Sequence, residues 1–112
     1  MLVIFANPKM NRKDQLLIWL EEKPEDAFLR FALALEWIAE GNDENAEAIF
    51  AKLIEDESNY VATYYHYGAL IERKGDEDGA SKIYEKGMEI CKQLKETHAF
   101  NELRSVWEEL NY

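Results

Sequence analysis

The side chains able to do chemistry in this chain are few: His66, His98, Cys91 and scattered serines. A nucleophilic or acid–base site needs a reactive group within reach of a second group that orients it. No such spacing stands out among them. His66 and His98 fall on helices that an internal repeat brings into register, so they could face one groove, where a metal would bridge them with Glu102 or Glu72. Histidines without a close i, i+4 pair or a cysteine make a thin ligand set. They read as ordinary surface histidines, and a metal-binding or enzymatic role through His66 and His98 is a third function, behind the two kinds of protein contact. Cys91 reads as a buried, inert thiol, because no basic group or helix start is placed to depress its pKa. No catalytic residue, metal or cofactor is therefore assigned, and the chain is not read as an enzyme.

The totals narrow the classes further. A chain of 112 residues, 47% hydrophobic and 32% charged, is one domain's worth of globular sequence, long enough to bury a core. Thirteen basic residues face 23 acidic ones, for a net charge of −10. The phosphates of nucleic acid and the headgroups of an anionic membrane would be repelled, so a protein or peptide partner of neutral or basic character fits better. The same acidic helix faces also keep a small protein in solution. A lone cysteine excludes an intrachain disulfide and a cysteine metal site. The apolar residues 2–6 are too few for a signal-peptide core, and no stretch approaches a membrane span. Cytoplasmic residence follows by elimination.

What positions the remaining residues is a repeat. Gly41 and Gly75 lie 34 residues apart, and the same offset pairs Ala34 with Gly68, Leu33 with Tyr67, Trp37 with Ile71 and Asn42 with Asp76. It also pairs Ala46 with Ala80, Ile49 with Ile83, Phe50 with Tyr84, Lys52 with Lys86 and Glu55 with Glu89. Small residues at 34, 46, 68 and 80 suit close helix crossings. Gly41 and Gly75 suit left-handed helix ends, and Asn42 and Asp76 can cap the helices that follow.

These positions resemble the tetratricopeptide repeat, in which W-x2-L-G-x2-Y is followed by A-x3-F and then a proline. One copy reads Tyr64, Tyr67, Gly68, Ile71, Ala80, Tyr84; the copy before it reads Arg30, Leu33, Ala34, Trp37, Ala46, Phe50, with Ser58 at the proline position. Pro24 closes a partial unit ahead of it. The resemblance implies a small bacterial-type member of the family with an all-α fold: helical hairpins stacked as a short right-handed solenoid of about six helices. The organisation expected is a tail over residues 1–10 and a single domain over 11–112. Within that domain come a leading partial unit (11–24), two repeats (27–60 and 61–94) and a capping helix (97–112).

The 3.6-residue apolar period places helices near 12–22, 26–39, 43–57, 60–73, 77–93 and 97–110. The last fits the pattern after a two-residue insertion near Lys95 and Glu96, with Phe100, Leu103 and Trp107 inward. Its Glu102, Arg104, Ser105, Glu108 and Glu109 are then expected to face water, as on a terminal cap. Residues 2–5 either form a loose tail or fold back over Phe28 and Phe31.

The second helix is apolar on nearly its whole surface, so it should be contacted on nearly all sides. Leu33, Ala34 and Trp37 are used by the repeat. In this family Phe28, Phe31 and Leu35 map to the concave groove, where Tyr65, His66, Ala69 and Arg73 follow on the next unit. The expected function is a protein-interaction module, an adaptor or scaffold holding a peptide or helix in that groove. A homodimer formed through the same groove is the alternative. The carboxylate clamp of chaperone-binding relatives is missing, since Phe31 and Leu35 stand where it needs a lysine and an asparagine.

Overall fold

A computed structural model describes residues 11–112. The described residues form six α-helices: α1 (Arg12–Glu22), α2 (Ala27–Ala39), α3 (Asp43–Asp56), α4 (Ala62–Arg73), α5 (Glu77–Leu94) and α6 (Thr97–Asn111). The expected tail at 1–10, and any contact of residues 2–5 with Phe28 and Phe31, lie outside the described residues.

Helix ends follow from local chemistry. Asn11 accepts a hydrogen bond from the Asp14 amide at 2.8 Å, and Asp26 accepts one from Leu29 at 2.9 Å. Asn42 and Asp76 do the same for α3 and α5, from Asn45 at 3.1 Å and Gly79 at 2.9 Å. Each satisfies an orphan amide of a first turn.

α2 and α4 end alike. Gly41 (φ +81°) donates to the Ile38 carbonyl, and Asn42 reaches back to Trp37. Gly75 (φ +90°) donates to Glu72, and Asp76 reaches back to Ile71. This double closure with a left-handed residue is the Schellman arrangement. α5 closes identically, but with Lys95 in the left-handed position at φ 60°. The insertion expected near Lys95 and Glu96 is therefore a third such turn, built without glycine.

The chain divides into two compact units, one ending at Ile49 and the other spanning Phe50–Tyr112. The boundary falls inside α3, within the expected repeat 27–60. In a repeat array each helix touches chiefly its sequence neighbours, so few contacts span any point along the chain.

In the first unit Leu16 of α1 packs with Leu29 and Ala32 of α2, flanked by Trp19 and Leu20. Lys13 ties α1 to the far end of α2, with its Nζ 2.8 Å from Glu40 and 4.4 Å from the Trp37 ring centroid. Arg12 meets Glu36 at 3.1 Å.

In the second unit α5 lies between α4 and α6. A Cβ on Gly68 would overlap the Tyr84 ring, so the glycine lets α4 and α5 touch. A Cβ on Gly87 would sit 2.6 Å from Tyr64 Cβ and 2.8 Å from Leu103 Cδ1, which makes Gly87 the point where three helices converge. Tyr64 and Tyr84 are fully buried here and keep their hydroxyls satisfied. Tyr64 donates to the Ser58 carbonyl at 2.6 Å and Tyr84 to the Glu72 carboxylate at 3.0 Å.

Candidate functional site

Each unit keeps one exposed aromatic ring of the set assigned to the groove. On α2, Phe28 is 56% exposed at the rim of a cavity of about 340 Å³ lined also by Trp19, Glu22, Lys23, Asp26 and Leu29. Phe31 is only 9% exposed. It does not offer the open anchor expected of it: Phe31, Ala32, Leu33 and Ala34 are all buried, so α2 is covered round most of its circumference at this level. Leu35 is half-buried.

On α4, Tyr65 is 37% exposed, while His66 and Ala69 are half-buried and Arg73 is exposed at the helix end. The Tyr65 and His66 rings meet edge to face, with centroids 5.5 Å apart. Between α4 and α6 opens a cavity of about 520 Å³, lined by Tyr65, His98, Asn101, Glu102, Ser105, Val106 and Glu109. Glu102, Ser105 and Glu109 are exposed, as expected of a terminal cap, and with His98 they border this open cavity. Positions 98, 102, 105 and 109 recur at helical spacing and form one stripe. The repeat register already sets His98 and Ser105 at groove positions of the last unit, whereas Glu102 and Glu109 join them only through this spacing.

Burial sets the local electrostatics. Desolvation holds the His66 pKa below its ordinary value, partly opposed by the Glu102 carboxylate. His66 is therefore neutral at physiological pH. Burial, then the hydrogen bond and negative charge of Glu72, push the Tyr84 phenol upward, with smaller contributions from Tyr65 and Glu109. Carboxylates from α4 and α6 thus act on one aromatic cluster. His98 stays exposed and pairs with Glu102 one turn away. Cys91 is buried, and desolvation followed by Glu96 raises its pKa, so it remains a thiol. Among the described residues no group of three or more His, Cys, Asp or Glu side chains comes together to hold a metal. None of the described helices is long and apolar enough to cross a membrane.

The opposite side of α6 is different in character. Lys92 and Arg104 lie over the Phe100 ring at 5.7 and 5.9 Å. Lys95 joins them at a neighbouring hollow of about 410 Å³. Three cations of this unit thus lie around Phe100, whereas no lysine or arginine lines the cavity beside Tyr65.

Neither a family-level sequence model nor a curated relative matches the chain. Solved structures do. The solution structure of a tetratricopeptide repeat domain protein from Salinibacter ruber shares 37% identity, covering 78% of this chain and 88% of that one, with a TM-score of 0.75. A crystal structure of a tetratricopeptide repeat domain protein from the same organism gives 35% identity, 77% and 97% coverage, and a TM-score of 0.74. A Bordetella parapertussis protein shares the fold at 18% identity, with 91% and 89% coverage and a TM-score of 0.78. The 34-residue pairing, the two glycine-closed turns and the Gly68–Tyr84 crossing agree with these likenesses: the chain belongs to the tetratricopeptide repeat family.

Proposed function

We propose that this chain is a protein-interaction module, an adaptor or scaffold that holds a peptide or helix of another protein on the groove face of its repeats. The observation that carries the reading is Tyr65, an aromatic ring left partly open at a cavity of about 520 Å³ in a unit whose Tyr64 and Tyr84 are fully buried. Phe28 offers a second open ring on α2. Aromatic anchors in recesses dominate most such contacts, and helical repeats present them on rigid elements. In the second unit His66 and Ala69 complete the α4 part of the face and Arg73 borders it; in the first, Phe31 and Leu35 of α2 belong to the same set. The module has no catalytic role and needs no cofactor, and its setting is the cytoplasm.

Selection of random-sequence displayed peptides against the full chain tests this. Peptides should be retained whose capture depends on Tyr65 or Phe28, with an alanine at a dominant anchor costing about 2 kcal/mol of binding. Thermal melts of Tyr65→Ala and Phe28→Ala should stay near the parent. Selected peptides indifferent to both substitutions would remove the groove face as the working surface. The same face could instead join two copies of the chain. Light scattering separates the two: a mass that doubles with concentration and reverts in Phe28→Ala would reassign the face to self-association.

A further inference from the structure

We infer that the face between α4 and α6 receives a basic segment of a partner protein, with an arginine or lysine side chain on the Tyr65 ring and the Glu102 and Glu109 carboxylates beside it. The inference rests on the reading of the chain as a polypeptide-holding module and adds the chemistry of what is held.

Three independent features support it. The lining of this cavity includes two carboxylates and no lysine or arginine. Glu109 makes no ion pair among the described residues, and Glu72 adds a third carboxylate nearby through its hydrogen bond with Tyr84. The second feature is that two other rings already hold a cation. Trp37 carries Lys13 at 4.4 Å, and Phe100 carries Lys92 and Arg104. Among the described residues no lysine or arginine lies over Tyr65, although a cation on an aromatic face flanked by carboxylates is attracted by both. Arg73, on the same helix, does not line the cavity. The third is the long-range field. A net charge of −10 accelerates the approach of a basic segment and repels an acidic one. Neutral His66 adds no opposing charge, and an incoming guanidinium replaces His98 at Glu102.

The probes are a short fluorescein-labelled Arg/Ser peptide, its Glu/Ser counterpart and a Gly/Ser peptide, titrated with the full chain and read by anisotropy at low and physiological salt. The Arg/Ser peptide alone should bind. Tyr65→Ala, and separately the pair Glu102→Gln with Glu109→Gln, should each weaken it by about three- to tenfold. The control pair Glu85→Gln with Glu89→Gln, on the exposed side of α5, changes net charge equally and should stay within about twofold.

Equal weakening by the control pair, or no binding of the Arg/Ser peptide to the parent chain, overturns the inference. Matching circular dichroism melts establish that each variant is folded. The displayed-peptide selection distinguishes the two failures. Tyr65-dependent peptides without enrichment in Arg or Lys overturn the basic chemistry and leave the module reading in place. Selected peptides indifferent to both Tyr65 and Phe28 overturn both.

Discussion

Among the described residues three end helices in the left-handed region, and only two of them are glycine. Gly41 and Gly75 adopt φ +81° and +90° without cost, whereas Lys95 holds φ 60° with a Cβ. Alanine at Gly41 or Gly75 should therefore destabilise the protein by about 1 kcal/mol, although nothing lies within 4 Å of the added methyl. Lys95→Gly should do the reverse, raising stability by up to about 1 kcal/mol in urea titrations. A destabilised Lys95→Gly would mean that the lysine side chain does more at that turn than its backbone costs. His66 supplies a pH dependence. Its folded pKa lies below the ordinary 6.5, so the unfolded chain binds the proton more readily. This contribution is complete above pH 6.5 and is lost as pH falls from there through the folded value. Stability measured down that window should fall less steeply in His66→Gln than in the parent chain.

Helix contacts in the second unit depend on two glycines in positions where alanine would be the better helix former by about 1 kcal/mol. Gly68 faces the buried Tyr84 ring, and Gly87 faces Tyr64 and Leu103. Because those neighbours are fully buried, they have no room to withdraw. Gly68→Ala and Gly87→Ala should each destabilise by roughly 1 to 3 kcal/mol through overpacking, despite the gain in propensity. Melting at or above the parent temperature would show that α5 can shift to accept the methyl. In the first unit Leu16 is the corresponding keystone between α1 and α2. Leu16→Ala should cost about 2 to 5 kcal/mol, the usual range for a sealed aliphatic residue.

The charge of the chain acts on the folded state as a whole. With 23 acidic against 13 basic residues, self-repulsion opposes compactness, while surface pairs such as Arg12–Glu36 and Lys52–Asp56 each contribute little. Screening should remove more repulsion than attraction. The melting temperature should therefore rise as sodium chloride is added up to a few tenths molar, and a fall would show that the ion pairs outweigh the net charge. The same salt should weaken a basic peptide on the α4–α6 face, so stability and binding are expected to respond in opposite directions.

Much of this protein is written in local rules. The 34-residue offset, the 3.6-residue apolar period and the caps at Asn42 and Asp76 act within one turn or one helix, so the sequence alone determined six helices, the family and the two glycine-closed ends. It also anticipated that Gly68 and Ala34 are small because helices cross there, and Gly68 does meet the Tyr84 ring. Other outcomes needed the neighbours in place. On a helix as uniformly apolar as α2, nothing local separates Phe28, which stays open, from Phe31, which is buried. Gly87 lies outside the paired small positions, its counterpart 34 residues earlier being Leu53, and its purpose is visible only with Tyr64 and Leu103 beside it. Lys95 carries no sequence signal for a left-handed turn. Glu102, Ser105 and Glu109 stay exposed, as the cap reading has it, but that they and His98 border a cavity with Tyr65 is visible only once α6 is docked. Its orientation is decided by which side of α6 buries Leu103 against α5, a packing choice that no single helix can make.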